Sequence, residues 1–555
     1  MKHGVEVTNR GSTFRVWAPR HRSLSLLLNG RAHPMNPEGQ GQFALYRPEA
    51  TDGARYAYQF EDGRIRPDPA SLRQPEGVHR ASAVFDAKAF RWREEGWKGI
   101  DLEALVFYEL HVGTFTEEET LDAAAAHLQE LSELGITCVE LMPVQPFAGD
   151  RNWGYDGVLP YAVHESYGGP VALQRFVDAA HRAKLAVCLD VVFNHFGPEG
   201  NYLGEFAPYF SSRHRTPWGD GINYDGEDSA PVREFAVGAS VQWIRDFHLD
   251  ALRLDAVHAI PDESPRHIVR EIADAVGEVG RETGREVHVV AESDLNDRRV
   301  VDRGPGGWGA STAWADDFHH AVHAFLTGER SHYYADFGRR EDISRAVEAG
   351  FVYQGQFSPF RGRPHGTSTK GLLPPQFVFS LQNHDQVGNR PHGERLISLI
   401  PREAWPPLAA ILVLGPAMPL LFMGEEYGES QPFLYFTSHS DPALAKAVSE
   451  GRKRELIAAG VGDVPDPQDP ATFLASKLSH RRDGDHGIIR GVYQQLLRMR
   501  RRFQRVIAEE WPRVAWEGNV VSISRSQFSL KANLGPDSAL GLPPWGWRVE
   551  SAAGA

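Results

Sequence analysis

The stretch AVCLDVVFNH at residues 186–195 decides the fold. Apart from Asp190 it is apolar up to Phe193, and such a run without alternation is typical of a parallel strand that is buried on both faces. Polar residues that can do chemistry, Asn194 and His195, come directly after the apolar run. Helical patterns lie on both sides of the stretch, so it predicts one unit of an alternating β/α fold.

The same pattern recurs along the chain in both directions. We predict strands at residues 105–108, 137–143, 186–193, 251–255, 287–291, 311–315, 377–381 and 419–423. We predict helices at residues 120–134, 171–183, 232–247 and 264–279. About eight strand–helix units fit a (β/α)8 TIM barrel with insertions better than an open sheet. Residues 328–375 are the predicted insertion before the seventh strand.

Two β-rich regions flank the predicted barrel. Short β-prone runs before residue 87 are separated by the turn signals Asn29-Gly30, Asp52-Gly53 and Asp62-Gly63, which is typical of a small sandwich. A helix at residues 492–502 precedes further β-prone runs. We predict an α/β protein with an N-terminal β-sandwich domain of the immunoglobulin-like, carbohydrate-binding type at residues 1–86, a linker at residues 87–104, the barrel at residues 105–490, and a small C-terminal helix and β domain at residues 491–555.

Composition excludes several classes of partner. The chain has 555 residues and a formal net charge of −14, so it lacks the basic balance of a nucleic-acid-binding protein. The basic cluster Arg498, Arg500, Arg501 and Arg502 lies in the predicted C-terminal helix, and we interpret it as a solvated helical face. The acidic balance suits a neutral substrate, because no steering by charge is required.

The sequence shows no pattern of export or membrane insertion. The first residues lack the apolar core of a signal peptide, and the longest apolar stretch, residues 408–423, is interrupted by glycine and proline. Both cysteines, Cys138 and Cys188, lie in predicted buried strands, which favours reduced core thiols over a disulfide or a metal site. We therefore expect a cytoplasmic protein without a membrane partner.

Carboxylates, histidines and an arginine follow the predicted strands at the edge where barrel active sites lie. The four strand ends are DVVFNH at residues 190–195, RLDAVH at residues 253–258, AESD at residues 291–294 and NHDQ at residues 383–386. Asp255 and Glu292 follow neighbouring strands, so they can supply the nucleophile and the proton donor that a retaining glycoside hydrolase holds about 5–5.5 Å apart. Each acid could instead cap the following helix, but the whole set favours a catalytic site.

Arg253 and two histidines support the same interpretation. Side-chain direction repeats every second residue along a strand, so Arg253 should point the same way as Asp255 and keep it ionised. His195 and His384 can hydrogen-bond sugar hydroxyls. We expect Glu292 to be protonated near neutrality, because it should lie close to the negative charges of Asp255 and Asp385.

Other chemistries find less support. The chain has no G-x-S-x-G elbow and no phosphate-binding loop after a strand. His319, His320 and His323 have helix-like spacing that would suit a metal cluster, but no H-E-x-x-H motif accompanies them. We predict no catalytic metal and no cofactor, because the carboxylates supply all the proton transfers.

The strand ends resemble the four signature regions of the alpha-amylase superfamily of glycoside hydrolases. The resemblance implies that Asp255 is the nucleophile, Glu292 the general acid and base, and Asp385 the stabiliser of the transition state in the −1 subsite. It also implies that Asp190 is a structural partner of Arg253. Further substrate contacts are expected from Tyr155, His195, Arg253, His258, His384, Gln386 and Asn389. Some superfamily members hold calcium near the position of Asn194, so a bound calcium there stays an open alternative.

Within this superfamily, the sequence is similar to the malto-oligosyltrehalose trehalohydrolase family. Five stretches carry the similarity: residues 67–71 with 74–78, residues 216–223, residues 316–320, residues 384–390 with 393–395, and residues 424–428 with 432–436. That family hydrolyses the α-1,4 bond next to a terminal trehalose and releases trehalose. The similarity implies malto-oligosyltrehalose and maltodextrin as substrates, and it places Asp317, His319 and His320 beside the trehalose-binding subsites.

Two alternatives stay open at this point. A 1,4-alpha-glucan branching enzyme shares the N-terminal sandwich and all three carboxylates, but it transfers the glycosyl intermediate to a sugar 6-hydroxyl instead of water. A catalytically silent glycan-binding protein would use the barrel as a platform, although a pure binder has no need of an acid–nucleophile pair. We expect no nucleic-acid partner, and either a monomer or a homodimer.

Overall fold

The N-terminal segment folds as two antiparallel sheets. The computed structural model describes residues 3–458 and 464–551 of the chain. The first strands are β1 (Gly4–Thr8), β2 (Gly11–Trp17), β3 (Leu24–Leu28), β4 (Arg31–Pro34), β5 (Asn36–Gly39), β6 (Gln42–Arg47), β7 (Arg55–Phe60), β8 (Ile65–Arg66) and β9 (Ser82–Ala83). One sheet has the order β1-β2-β6-β5, and the other has the order β4-β3-β7-β8 with β9 also paired to β7. Alternate side chains of β3 are buried, as in a sheet with one covered face, and the predicted sandwich is confirmed.

Eight parallel strands follow and close into a barrel. The first elements of this region are β10 (Phe107–Leu110), α1 (Val112–Phe115), α2 (Leu121–Ala125), α3 (Leu128–Leu134), β11 (Cys138–Leu141), α4 (Gly169–Arg182), β12 (Ala186–Val191), α5 (Leu203–Phe206), β13 (Phe210–Thr216), β14 (Gly219–Ile222), α6 (Ser229–Arg245), β15 (Ala251–Leu254), α7 (Ile268–Thr283) and β16 (His288–Ala291). The later ones are β17 (Thr312–Trp314), α8 (Asp317–Thr327), α9 (Arg340–Ala349), β18 (Phe357–Ser358), β19 (Arg363–Pro364), β20 (Phe377–Ser380), α10 (His384–Gly388), α11 (Trp405–Val413) and β21 (Met418–Phe422). The barrel order is β10-β11-β12-β15-β16-β17-β20-β21, and β21 pairs with β10 to close it.

The barrel interior has an apolar layer below a layer of ionisable side chains. Phe107, Cys138, Cys188 and Ala251 belong to one buried cluster, and both cysteines are free, as predicted. Two residues further along β10, β11, β12 and β15, the side chains with the same direction carry ionisable groups. These four are Glu109, Glu140, Asp190 and Arg253. The ionisable layer lies next to the carboxyl ends of the strands, beneath the candidate site.

One predicted helix is divided. The expected helix at residues 120–134 consists of α2 and α3, because the backbone N–H of Ala126 turns to the carbonyl of Ala123 and ends the first helix. The His127 ring at the break stacks on His480, with 4.8 Å between ring centroids. The predicted insertion at residues 328–375 contains α9 and the short hairpin of β18 and β19.

The C-terminal region contains three helices and a four-stranded antiparallel sheet. Its elements are α12 (Pro442–Ala458), α13 (Pro470–Ala475), α14 (Gly484–Glu509), β22 (Arg513–Glu517), β23 (Val520–Ser524), β24 (Phe528–Asn533) and β25 (Trp547–Ser551). The predicted boundary between residues 490 and 491 falls inside α14 and needs correction. The helix begins earlier because its buried face already includes His486 and Ile489.

The interpretation of the arginine cluster as a solvated face is wrong for Arg500. Arg498, Arg501 and Arg502 are exposed, but Arg500 is 4% exposed. Its guanidinium donates to the carbonyl oxygens of Val413, at 2.8 Å, and Ala417, at 2.9 Å. Arg500 therefore ties α14 to the connection between α11 and β21. In residues 3–458 and 464–551, no helix has the length and apolar content that crossing a membrane requires.

Candidate active site

Three carboxylates meet at the carboxyl end of the barrel. Asp255 comes directly after β15, Glu292 directly after β16, and Asp385 lies in the first turn of α10, which follows β20. They line a cleft of about 830 Å³. Most of the side chains that the sequence nominated also line it: Tyr155, His195, Asp255, His258, Glu292, His320, Asp385, Gln386 and Asn389.

Asp255 is held by donors on both carboxylate oxygens. Its Oδ1 accepts a hydrogen bond of 2.9 Å from Arg253 Nη1, and its Oδ2 accepts one of 2.7 Å from Asn194 Nδ2. The backbone turns sharply after it, because Ala256 has a left-handed φ of 39°. This turn allows the N–H of Ala256 to donate to Glu292 Oε2 at 2.6 Å. The two carboxyl groups are therefore fixed relative to each other.

Arg253 lies beneath all of these groups and is fully buried. Nη1 donates to Asp190 Oδ2 at 2.6 Å and to Asp255, and Nη2 forms an ion pair of 3.1 Å with Glu292 Oε2. The guanidinium also lies 4.3 Å from the ring centroid of Trp314. The expectation that Asp190 is a structural partner of Arg253 is confirmed. One buried cation thus orients the carboxyl groups at two neighbouring strand ends.

Glu292 is buried among other acidic groups. Burial raises the pKa of Glu292 to about 8, and the negative charges of Asp255, Asp385 and Asp316 act in the same direction. Arg253 opposes the rise. A protonated Glu292 was predicted from like charges alone. Burial is the larger cause, and the contribution of Asp316 was not foreseen.

Asp385 faces the open part of the cleft. Its side chain is 44% exposed, in contrast to 12% for Asp255 and 14% for Glu292. Asp385 Oδ1 accepts a hydrogen bond of 3.2 Å from Asn389 Nδ2 and lies 3.6 Å from His384 Nε2. Donors on the protein side and an open side toward the cleft suit a carboxylate that grips hydroxyl groups.

Tyr155 covers the floor of the cleft. Its hydroxyl donates to Asp190 Oδ2 at 2.6 Å and lies 2.8 Å from His384 Nε2. The preceding residue must be glycine, because Gly154 has a φ of 107° and a Cβ there would lie 2.2 Å from the carbonyl oxygen of Pro143. The motif Trp-Gly-Tyr at residues 153–155 thus serves to present the tyrosine ring.

The two predicted sugar-binding histidines occupy different positions. His195 lines the cleft, and its ring stacks on Trp218 with 5.3 Å between centroids. Burial lowers the pKa of His195, so the ring is neutral. His384 is 1% exposed and lies behind the lining residues, with Glu109 on Nδ1 and Tyr155 on Nε2. It contacts the candidate catalytic groups from below.

In the loop after β17, Asp316 lines the cleft, whereas the sequence predicted that Asp317 would. Asp317 does not line the cleft; its Oδ2 accepts hydrogen bonds from Asn296 Nδ2, at 2.8 Å, and from the backbone N–H groups of Val352 and Tyr353, at 2.7 and 3.1 Å. This corrects its prediction as a substrate-binding residue. Asp316 lines the cleft instead, and it accepts a hydrogen bond of 3.2 Å from Gln386 Nε2. Burial, helped by the charge of Asp385, raises the pKa of Asp316 to about 7.

Of the two histidines that follow Asp317, one lines the cleft and the other is buried. His320 lines the cleft, next to the ring of Tyr333 at 4.5 Å between centroids. His319 is 3% exposed, with Nδ1 2.6 Å from the carbonyl oxygen of Leu381 and Nε2 2.8 Å from Tyr334 Oη. His319 therefore packs α8 against the barrel, and its predicted substrate contact is also corrected.

Several cleft residues were not predicted. They are Trp218, Tyr333, Phe360, Arg361, Tyr435 and Arg452. Trp218 and Tyr435 lie within stretches that carried the family resemblance, so the signal for them was present but unused. Tyr333, Phe360 and Arg361 come from the insertion at residues 328–375, which has no strand or helix period that would direct them to the cleft.

One group of side chains in the described ranges has a geometry that suits a metal ion. It consists of His214, Asp225 and Glu263, whose ligand atoms lie within 4.8 Å of one another. Glu263 is exposed and already pairs with Arg213 at 2.7 Å. Asn194, the position considered for calcium, donates its amide to Asp255. The three catalytic candidates are not part of that group.

Comparison with known proteins agrees with this geometry. Residues 113–218 match the family model described as "Alpha amylase, catalytic domain". The malto-oligosyltrehalose trehalohydrolase of Saccharolobus solfataricus is 46% identical over 505 residues, which cover 91% of this chain and 87% of that protein. The branching enzyme GlgB of Bacillus cereus is 27% identical over 466 residues, which cover 76% of this chain and 67% of that protein.

A solved structure shows the same architecture over the whole length. The crystal structure of a "putative alpha amylase" from Salmonella typhimurium superposes with a TM-score of 0.93 at 40% sequence identity. The superposition covers 99% of each chain. The N-terminal sheets, the barrel and the C-terminal sheet thus occur together in this relative.

Proposed function

Since this chain belongs to the malto-oligosyltrehalose trehalohydrolase family of the alpha-amylase superfamily, we propose that it hydrolyses the α-1,4-glucosidic bond next to the terminal trehalose of malto-oligosyltrehalose and releases trehalose. One structural observation supports this function more than any other. The carboxyl groups of Asp255 and Glu292 share the buried guanidinium of Arg253 at the base of an open cleft.

The chemistry is a double displacement at the anomeric carbon. In the first step Asp255 attacks this carbon while Glu292 gives its proton to the departing glycosidic oxygen, and trehalose leaves. In the second step Glu292, now a carboxylate, takes a proton from water as that water attacks the same carbon and breaks the bond to Asp255. Two inversions give net retention, so NMR of the first-formed sugar should show the α anomer. A β product at early times would contradict the mechanism.

The environments of the two acids support their assigned roles. Asp255 has hydrogen-bond donors on both oxygens, which suits a nucleophilic carboxylate. In Glu292, Oε2 accepts the N–H of Ala256 and faces Arg253, so Oε1 is the oxygen left to carry the proton. Asp385, the more exposed acid, would bind the hydroxyls of the sugar in the −1 subsite while positive charge develops on its ring.

We propose that the trehalose end is recognised by cleft residues that follow β17 and β20. Asp316, His320 and Gln386 line the cleft there, between these strands and the helices α8 and α10 that come after them. Their acceptors and donors would meet the hydroxyls of the last glucose, which an α,α-1,1 link turns relative to an α-1,4 link. A buried polar group that is left unpaired discriminates strongly against the wrong ligand. We assign this role to Asp316 in place of Asp317.

Substrate specificity is tested by product analysis. The protein is incubated separately with maltotriosyl-trehalose and with maltopentaose, and the products are separated and identified. We expect rapid release of free trehalose from the first substrate and slow hydrolysis of the second. New α-1,6 branch points with a long amylose substrate would instead identify a branching enzyme, and no turnover of any glucan would identify a glycan-binding protein.

Three further points of the proposal concern the whole protein. We propose a cytoplasmic location, which the free thiols Cys138 and Cys188 support. We propose that the protein acts as a monomer or a homodimer. Catalysis should need no metal, so full activity is expected after exhaustive chelation; a loss restored by one added cation would overturn that point.

A further inference from the structure

A buried carboxylate beneath the cleft takes no part in the mechanism above. Glu109 faces into the barrel from β10 and is 1% exposed. Both of its oxygens serve one residue: Oε2 accepts a hydrogen bond of 3.1 Å from the backbone N–H of His384, and Oε1 lies 2.5 Å from Nδ1 of the same ring. Glu109 thus fixes both the position of the His384 backbone and the rotation of its side chain.

The other edge of the His384 ring faces the catalytic side. Nε2 lies 2.8 Å from Tyr155 Oη and 3.6 Å from Asp385 Oδ1. The ring is 1% exposed, so bulk water does not set its orientation or charge. Glu109 on one side and Asp385 on the other are the carboxyl groups in contact with it.

We propose that Glu109 is a positioning residue of the active site: its carboxylate holds the His384 ring in place and supplies the negative charge that keeps this ring cationic beside Asp385. The cation would keep Asp385 ionised and correctly placed, although Asp316 and Glu292 add acidic groups nearby. This inference rests on the role proposed for Asp385, and it concerns a residue that never touches the substrate.

The charges around the ring agree with this proposal. Burial alone would lower the pKa of His384, but the carboxylates of Glu109 and Asp385 outweigh it and raise the pKa to about 9; Arg253 opposes them. Glu140, Tyr155, His111 and, through the Tyr155 hydroxyl, Asp190 are further titratable groups near the ring. Burial raises the pKa of Glu140 and of Tyr155 well above their usual ranges, and it lowers the pKa of His111 to about 4.

The chain offers a matched pair of variants. In Glu109→Gln, the amide oxygen can accept the backbone N–H of His384, and the amide N–H can donate to Nδ1 of a neutral ring. Both hydrogen bonds then survive while the charge is lost. Glu140 is the control, because it lies beside Glu109 in register on β11 and is equally buried. Glu140→Gln removes a neighbouring carboxyl group of the same layer and leaves both hydrogen bonds between Glu109 and His384 in place.

The experiment follows the His384 ring by NMR titration and measures kcat/KM on maltotriosyl-trehalose across pH. In the wild-type enzyme the ring should stay protonated above about pH 8, and in Glu109→Gln it should titrate near or below about 6.5. We expect the variant to lose roughly tenfold or more in kcat/KM at about pH 7.5 and to recover activity as pH falls, because acid restores the cation. Glu140→Gln should leave the ring titration and the pH profile unchanged.

An equal loss of kcat/KM at every pH, or a His384 titration unchanged in Glu109→Gln, would overturn the proposal. If Glu109→Gln does not fold, the wild-type titration decides, since a wild-type ring that titrates near or below about 6.5 contradicts it directly. Glu109→Asp, which keeps the charge, should retain the protonated ring. If the wild-type enzyme does not release trehalose, the proposed function is refuted. The NMR titration of His384 then still tests the role of Glu109, because it does not depend on turnover.

Discussion

Asp255 and Glu292 follow neighbouring strands, yet their surroundings differ in the way that their proposed roles require. Donors on both oxygens of Asp255 favour an anion, whereas burial among other acids favours a neutral Glu292. We expect Asp255→Asn and Glu292→Gln each to lower kcat by several orders of magnitude, because in the proposed mechanism each removes a group that acts on the reacting atoms. Thermal unfolding should show that both variants fold. A variant that kept a near wild-type rate would remove its residue from the assigned role.

The raised pKa of Glu292 predicts how activity depends on pH. The acid must be protonated to assist the leaving group, so kcat/KM should be full below a pKa of about 8 and fall as pH rises through it. Asp316→Asn removes one of the acidic groups that raise the pKa of Glu292, so the decrease in kcat/KM should begin at a lower pH. A wild-type profile that stayed flat to about pH 10 would contradict the assignment.

At the scale of the element, the start of α8 separates an acid that faces the cleft from one that holds the backbone. Asp316 lines the cleft, while Asp317 caps the backbone N–H groups of Val352 and Tyr353. We expect Asp316→Asn to lower kcat/KM selectively for the trehalose-ended substrate, by roughly tenfold or more, because one of the two carboxyl oxygens at that end is replaced by an amide NH2, which cannot accept a hydrogen bond. Asp317→Ala is the matched control and should mainly lower the unfolding temperature. Equal losses on both substrates for Asp316→Asn would assign that residue a structural role.

The same loop shows what the sequence could and could not predict. Buried parallel strands are continuous apolar runs, so all eight were foreseen, and the acids at their ends followed from the fold. The choice between Asp316 and Asp317 depends on contacts with Val352 and Tyr353, which lie about 35 residues away in an insertion without a regular period. Local patterns hold no information about such a contact. Phe360 and Arg361 were missed for the same reason.

At the scale of the whole molecule, polar contacts join the barrel to the regions that flank it in the sequence. Arg66 of β8 pairs with Glu205 of α5 at 3.0 Å and links the N-terminal sheets to the barrel. Arg500 of α14 links the C-terminal region to the barrel wall. We infer that α14 belongs with the barrel in folding, because its buried face packs there and it spans the boundary that composition alone suggested.

The Arg500 contact gives a prediction about stability. Arg500→Lys keeps a positive charge, but a single ammonium cannot reach the carbonyl oxygens of Val413, Gly415 and Ala417 together, as the guanidinium fork does. Carbonyls left without donors in a buried site cost about 1–3 kcal/mol each, so we expect the free energy of unfolding to fall by about 2 kcal/mol. Arg498→Lys, on the exposed face of the same helix, should change it by less than about 0.5 kcal/mol. Denaturant titration of both variants provides the measurement, and kcat should stay at the wild-type value because the contact lies away from the cleft. If the two variants were equally stable, Arg500 would not anchor the helix.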